Sequence, residues 1–164
     1  MLCVLKEMYQ KQYELDLEIA NNHHISYEET KEKRILALLV ELGEFANATR
    51  CFKFWSFKPS ESKERVLDEF ADGLHFLLSI GLAYSYQVDS IEVDESIESD
   101  LTGAILSCYH YIDEFYVERS FVKYLKMFES YLKILTKLGC SWKDAYDAYF
   151  LKLEENHHRQ ETNY

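Results

Sequence analysis

The chain has 164 residues, which predicts one folded domain over 1–164, and a formal net charge of −11, which excludes a nucleic-acid backbone as its main partner. No apolar run reaches the roughly 18 residues that a membrane helix needs, and the four cysteines lack the short paired spacings of a zinc or redox motif. No secretory signal precedes the cysteines. We therefore expect a soluble cytoplasmic protein with reduced thiols and no membrane partner.

The first half of the chain has the periodicity of helices. One proline and five glycines leave few helix breakers, and apolar residues recur every three or four positions. The pattern predicts a first helix over 2–20, a connection over 21–28 and a second helix over 30–54. Pro59 disfavours helical geometry at the preceding residue, and Ser60 or Ser62 can cap a third helix over 63–86.

The second half of the chain continues this pattern after an acidic stretch. Residues 88–100 are predicted to form a solvated connection. The Tyr- and Phe-rich segment 101–138 predicts two helices with a break near 118–120, and Gly139 ends the second of them. Ser141 and Asp144 have the spacing of a capping box, which opens a last helix through about His158. We predict an all-α helical bundle whose second and third helices are antiparallel neighbours.

Two pairs of acidic residues lie on otherwise apolar helix faces. Glu41 and Glu44 are three residues apart and share one face. Glu69 and Asp72 repeat this spacing on the next helix. If the two helices pack antiparallel, four carboxylates meet at one seam, which is unfavourable unless a cation such as Mg²⁺ joins them. The alternative is that the first pair faces solvent and that Glu69 forms an ordinary ion pair with Arg65.

The sequence around both pairs is also distinctive. ANATRCFKFW follows Glu41-Leu-Gly-Glu44, DGLHF includes the end of Glu69-Phe-Ala-Asp72, QYELD lies near the amino end, and KLEENHHRQETNY ends the chain. Together these stretches resemble the dimeric dUTPase family within the all-alpha nucleoside triphosphate pyrophosphatases. Leu153 and Asn163 depart from the family pattern, which usually has Asn and Gly there.

The resemblance implies a homodimeric enzyme that hydrolyses dUTP, and possible use of dUDP stays open. Two or three Mg²⁺ ions, or Mn²⁺ in their place, would be held by Glu41, Glu44, Glu69 and Asp72. Either glutamate of the first pair would orient or deprotonate the attacking water, with Glu41 favoured as the base. The implied phosphate-binding residues are Lys53, Trp55, Lys152, Arg159 and Tyr164. The base and sugar would be contacted by Gln12, Asp16, Asp72, His75, Phe76 and Asn156.

Three other functions stay open at this point. A related pyrophosphatase for dCTP or for a broad set of nucleotides would share the metal site and differ at Gln12 and the carboxyl-terminal motif. A di-iron carboxylate bundle is suggested by Asp72-Gly-Leu-His75, but the only comparable second motif, ending at His157, lies near the chain end. A non-catalytic helical module would bind a basic partner through its acidic face and would not depend on metal.

Overall fold

The fold is all-α, as predicted. It is given by a computed structural model that describes residues 1–96 and 99–162. This part of the chain contains six helices and one antiparallel pair of short strands. In chain order the elements are β1 (Leu2–Val4), α1 (Lys6–His23), α2 (Tyr27–Thr49), α3 (Lys63–Tyr84), β2 (Ser90–Glu92), α4 (Leu101–Val117), α5 (Phe121–Leu138) and α6 (Trp142–Glu161).

The ends of the later helices follow their capping residues. Ser141 and Asp144 form the predicted capping box at the start of α6. Gly139 ends α5 with a left-handed backbone at φ 64°, which glycine adopts without steric cost. Ser62 caps α3 by accepting a hydrogen bond from the backbone N–H of Arg65. The predicted break between α4 and α5 is also confirmed, and α6 continues three residues beyond the expected His158.

The ends of α1, α2 and α3 differ from the prediction, and α1 ends at His23 rather than at residue 20. Ser26 forms a capping box with Glu29, so α2 begins at Tyr27 rather than at residue 30. Arg50 adopts a left-handed backbone at φ 57° and ends α2 five residues before the predicted end. Similarly, the left-handed Ser85 ends α3 at Tyr84 instead of residue 86. The chain reversals are therefore set by local caps that hydrophobic periodicity does not reveal.

Two segments form a sheet that was not predicted. Residues 2–4 were expected in the first helix, and residues 90–92 in a solvated connection. Instead β1 pairs antiparallel with β2, with Cys3 opposite Ile91. Both of these side chains are buried, while their neighbours along each strand are exposed. The prediction was wrong here because three-residue strands are too short to show a two-residue period.

The long helices α2 and α3 pack antiparallel, as predicted. Phe45 and Phe70 meet edge to face at 5.9 Å near one end of the pair, and Arg34 donates to Ser79 near the other. Helix α3 also packs against α1 and α6, so it lies at the centre of the bundle. No helix in the described ranges is long and apolar enough to cross a membrane. The central position of α3 places its acidic pair beside α2 and α6.

Candidate active site

Three carboxylates converge where α2 packs against α3. Glu41 comes from α2, and Glu69 and Asp72 from successive turns of α3. Each residue offers one oxygen atom, and these atoms lie within 4.8 Å of one another. Glu44, the fourth predicted residue, is exposed one turn further along α2 and lies outside this triad, although its charge reaches Glu41 and Glu69. The antiparallel packing therefore brings together three of the four predicted carboxylates.

The electrostatics of the triad fit a divalent cation. Burial, followed by the negative charges of Asp72 and Glu44, raises the pKa of Glu41 to about 7. Burial also raises the pKa of Glu69 and of Asp72. Raised pKa values are expected where like charges share a site shielded from water. Closely spaced carboxylate oxygens are the ligands that Mg²⁺ prefers, so these residues could hold it.

Two basic side chains balance part of this negative charge. Arg65 forms an ion pair with Glu69 one turn away on α3, as the surface-charge alternative predicted, yet Glu69 is buried. Lys152 reaches across from α6, and its Nζ lies 2.6 Å from Asp68 and 3.0 Å from Asp72. Burial alone would lower the pKa of Lys152, but the bonds to these two carboxylates outweigh it and the net pKa is raised. Lys152, predicted to bind phosphate, therefore contacts a carboxylate of the triad.

A pocket of about 410 Å³ opens beside the triad, between α1, α2, α3 and α6. Both Glu41 and Asp72 form part of its wall. Its volume falls within the range of small-molecule sites. It includes every residue predicted to contact the base or sugar: Gln12, Asp16, Asp72, His75, Phe76 and Asn156. The predicted nucleoside-binding residues thus lie together in one pocket next to the carboxylates.

The polar floor of the pocket is organised around Asp16, which is 3% exposed. Its carboxylate accepts hydrogen bonds from Ser79 Oγ at 2.5 Å, Tyr27 Oη at 2.9 Å and Gln12 Nε2 at 2.9 Å. The guanidinium of Arg34 lies 3.5 Å away. Because these donors already occupy it, Asp16 holds the pocket side chains in place. Sequence reasoning missed Ser79 and Arg34, whose roles depend on packing between helices.

His75 and Phe76 lie on α3 at the wall of this pocket. The His75 ring stacks on Tyr149 with centroids 4.2 Å apart, and its Nδ1 lies 2.7 Å from Gln12 Oε1. Burial lowers the pKa of His75 to about 3, so its imidazole is neutral at physiological pH. Phe76 is half-buried and offers an apolar surface to a bound ring.

The residues predicted to contact phosphate are more dispersed. Lys53 and Trp55 lie in the loop after α2, outside the residues that line the pocket, and the Trp55 side chain is 63% exposed. Arg159 lines the pocket and donates to Glu155 at 2.5 Å and to Asn156 at 3.4 Å. The predicted contact Tyr164 lies outside the described residues, as does Asn163.

The chain also matches a protein-family model. The description of that family is dUTPase, and the match extends over residues 4–164. It therefore includes the carboxylate triad, the pocket and all six helices. The curated proteins contain no match to this chain.

Proposed function

Because the chain belongs to the dUTPase family and is a dUTP diphosphatase, we propose that Glu41, Glu69 and Asp72 form its Mg²⁺-dependent catalytic centre. The observation that carries the proposal is the convergence of these carboxylates from two helices at the wall of a pocket of about 410 Å³. The reaction converts dUTP and water to dUMP and diphosphate. A hard cation at the carboxylates would place the triphosphate next to a nucleoside bound in the pocket.

The triad would hold two or three Mg²⁺ ions together with Glu44, and Mn²⁺ could replace them. When bound, Mg²⁺ supplies positive charge to the triphosphate and lowers the pKa of the water that attacks the α-phosphorus. The four side chains offer only oxygen atoms, which suits both ions. Glu44 is exposed one turn further along α2 and would be the fourth ligand.

Of the two glutamates on α2, Glu41 is better placed to accept a proton from the attacking water. It lines the nucleoside pocket, whereas Glu44 is not among the lining residues. It also lies opposite Asp72, so a water between the pocket and the triad would be within reach of its carboxylate. General-base catalysis depends first on this geometry. We therefore assign proton transfer to Glu41 and an orienting or metal-binding role to Glu44.

The remaining predicted residues would bind the substrate. The base and sugar would occupy the pocket, with Phe76 against a ring face and with Asn156 and Asp72 near the sugar. Lys152 would turn from Asp72 to a phosphate oxygen when cations neutralise the carboxylates. Lys53, Trp55, Arg159 and Tyr164 would complete the phosphate contacts from the loop after α2 and from the carboxyl-terminal segment. Arginine can bind two phosphate oxygens at once, whereas lysine acts as a point charge.

The resemblance further implies a homodimer, and the surface has a suitable apolar face. Leu36 and Val40 are exposed one turn apart on α2, and Leu106 and Tyr116 are exposed on α4. A groove of about 520 Å³ lies between the two helices. Apolar patches of this kind mark interaction sites in soluble proteins. We propose that this face contacts a second copy of the chain.

The proposed centre is tested by pyrophosphate release from dUTP, dCTP, dTTP and UTP, with Mg²⁺ and with EDTA. We expect Mg²⁺-dependent turnover that is selective for dUTP. Glu41→Gln and Glu44→Gln should each lose more than about 100-fold, because even partners of metal ligands are worth 10- to 100-fold. Glu129→Gln is the matched control: Glu129 is a half-buried glutamate on α5 that pairs with Lys133, and the variant should retain full turnover.

Each contrary result has a separate meaning. Absence of dUTP turnover in the Mg²⁺-supplied wild type would contradict the activity. Full turnover in both Glu41→Gln and Glu44→Gln would leave the activity intact and remove the catalytic centre from this triad. Equal turnover of several nucleotides would retain the metal centre and reject the uracil-binding role of the pocket.

A further inference from the structure

Helices α1 and α6 lie side by side and run parallel. Near the start of both helices, Tyr146 Oη donates to Glu7 Oε2 at 2.6 Å. Near the end of both helices, His157 Nδ1 lies 2.5 Å from Glu18 Oε2. Each pair joins residues that are 139 positions apart, so the two helices are in register along their length. Side-chain contacts therefore join α1 to α6 at both ends.

The last two turns of α6 lie outside the hydrophobic core. Lys152 and Leu153 are the last buried residues of this helix, and residues 154–161 are half-buried or exposed. Helix ends fray unless other contacts hold them. The order of these two turns therefore depends on polar contacts with neighbouring helices.

The same two turns carry residues that are proposed to bind the substrate. Asn156, Arg159 and Gln160 contribute to the wall of the nucleoside pocket. Burial raises the pKa of Asp72, while the charges of Lys152 and Arg159 oppose that rise, so Arg159 also acts on the triad. If this helix end were frayed, dUTP would have to order it on binding, which lowers affinity.

Contacts with α1 hold these turns in place. The side chains of His157 and Glu18 are 35% and 31% exposed, so their hydrogen bond is partly shielded from water. A carboxylate only accepts hydrogen bonds, so His157 donates from Nδ1. Asn22 Nδ2 adds a contact to Gln160 Oε1 at 3.3 Å. Neither His157 nor Glu18 is among the residues that line the pocket, so any effect on the substrate must pass through the helix.

We propose that Glu18 and His157 are positioning residues that hold the last two turns of α6 at the wall of the nucleoside pocket. Their hydrogen bond fixes the backbone that carries Asn156 and Arg159, so dUTP meets a site that is already ordered. The inference rests on the proposed function of the pocket. It adds two residues to those predicted to contact dUTP or Mg²⁺.

The hydrogen bond should affect substrate binding and leave the chemical step unchanged. The triad belongs to α2 and α3, and Lys152 joins α6 to Asp68 and Asp72 before the last two turns begin. Loss of the contact with α1 therefore loosens the helix end and leaves the carboxylates in place. A general structural role would instead lower stability without a specific change in KM.

The order of the helix end is measured by amide hydrogen exchange of the full-length protein without nucleotide. In Glu18→Ala, the amides of residues 158–161 should exchange about 5- to 10-fold faster than in the wild type, because a partly exposed charged hydrogen bond is lost. Glu18→Gln retains an acceptor oxygen for His157 and should resemble the wild type. Glu7→Ala removes the matching contact at the start of the two helices and should leave this exchange unchanged.

The effect on the reaction is measured as KM and kcat for dUTP with Mg²⁺. Glu18→Ala and His157→Ala should each raise KM about 5- to 10-fold and leave kcat within about twofold. The double variant should show no further rise, because both changes remove the same contact. The Kd of the α,β-imido analogue of dUTP, measured with Mg²⁺, should rise by the same factor. Glu7→Ala should retain the KM of the wild type.

The outcomes separate this inference from the proposed function. A wild type that does not hydrolyse dUTP overturns both. In an active enzyme, unchanged KM and Kd in Glu18→Ala overturn the inference alone, as do additive effects in the double variant. An equal rise of KM in Glu7→Ala also overturns it, because the effect would then come from general loosening of α1 against α6. His157→Ala tests the same contact even if Glu18→Ala does not fold.

Discussion

Glu41 is subject to opposite demands of stability and catalysis. Its carboxylate is partly buried beside Asp72 and Glu69, and this raises its pKa to about 7. In the metal-free protein, Glu41→Gln removes this repulsion, so we expect a free energy of unfolding higher by about 1 kcal/mol at pH 7.5, allowing for solvent screening. Turnover should be lost because the proton acceptor is gone. Thermal unfolding in EDTA, together with the dUTP assay, measures both effects.

The stability effect of Glu41→Gln has a defined pH dependence. The unfolded-state pKa is 4.5 and the folded-state pKa is about 7, so the unfolded state ionises first as the pH rises. The stability contributed by protonated Glu41 is complete below pH 4.5 and is lost as the pH approaches 7. The Tm advantage of Glu41→Gln in EDTA should therefore grow between pH 4.5 and pH 7.5. Glu44→Gln removes one of the charges that raise the pKa of Glu41, so it should show a smaller rise of the same sign. An equal advantage of Glu41→Gln at both pH values would contradict this account.

Individual site residues differed in how far the sequence revealed them. The carboxylates were predictable because a three-residue spacing on a helix gives a shared face. The pairing of Glu69 with Arg65 was also predictable, because the two residues are one helical turn apart. Glu69 both forms this ion pair and belongs to the buried triad. The contacts of Lys152 and Ser79 with carboxylates on other helices have no local signal. They arise only when α1 and α6 pack against α3.

The contact between α6 and α3 depends on one buried cation. Lys152 lies between Asp68 and Asp72. Lys152→Gln removes the positive charge beside these carboxylates. We expect the free energy of unfolding of the metal-free protein to fall by about 1–3 kcal/mol, which is less than the loss on breaking a fully buried ion pair. Mg²⁺ can then replace the missing charge, so its effect on Tm should be larger in the variant than in the wild type. Thermal unfolding with EDTA and with Mg²⁺ measures this difference.

Lys143→Gln is the matched control for this contact. Lys143 lies on the same helix and pairs with Asp147, but its side chain is exposed. Surface ion pairs contribute little to stability, so its unfolding and its response to Mg²⁺ should both match the wild type. An equal Mg²⁺-induced rise of Tm in Lys152→Gln and in the wild type would show that Lys152 does not compensate the metal-site charge.

The approach of α5 to α3 depends on a glycine. A Cβ at Gly73 would lie 2.1 Å from Tyr131 Oη, and this hydroxyl donates to the Phe70 carbonyl at 2.8 Å inside the core. We expect Gly73→Ala to lower the free energy of unfolding by about 1–3 kcal/mol through overpacking. Gly43→Ala is the control, since its Cβ would meet Tyr109 Oη at 3.3 Å and helical alanine is otherwise favourable. Equal denaturation midpoints for the two variants would contradict the close approach.

Among the secondary-structure elements, some helix ends could be predicted from the sequence, whereas the pairing of distant strands could not. Ser141, Asp144 and Gly139 act on their own helix ends, so their sequence spacing was sufficient. The pairing of β1 with β2 joins segments far apart in the chain, each only three residues long. The register of that pair is decided by the burial of Cys3 and Ile91 in the core, which depends on the assembled helices.

The pocket and the proposed dimer face lie on different surfaces of the molecule. Helix α3 lies in the centre, with the nucleoside pocket formed by α1, α2, α3 and α6, while α4 and α5 pack together as a pair. Helix α4 belongs to a region in which the sequence showed no catalytic motif. Its exposed Tyr116 nevertheless borders the same groove as Leu36 of α2. Helix α2 therefore contributes proposed catalytic carboxylates on one side and the proposed dimer face on the other.

This arrangement predicts that the dimer can be disrupted without disturbing the core. Leu36 is 62% exposed and borders the groove between α2 and α4, next to Glu32 and Asp113. Leu36→Glu adds a third negative charge to an apolar contact, and in a two-fold dimer each change occurs twice. We expect sedimentation equilibrium to show a wild-type dimer and a variant whose dissociation constant is at least about 100-fold higher, since burying unpaired charge is strongly unfavourable.

The control for the dimer face is a second exposed leucine. Leu151 lies on α6, is 70% exposed and borders Glu154 and Asp147, so Leu151→Glu matches the chemical change away from the proposed face. It should remain dimeric. A wild-type monomer would refute the homodimer, and a dimeric Leu36→Glu would place the interface elsewhere. Because both leucine side chains are largely exposed, the helical content of either variant should equal that of the wild type, and a change in mass would then report association rather than folding.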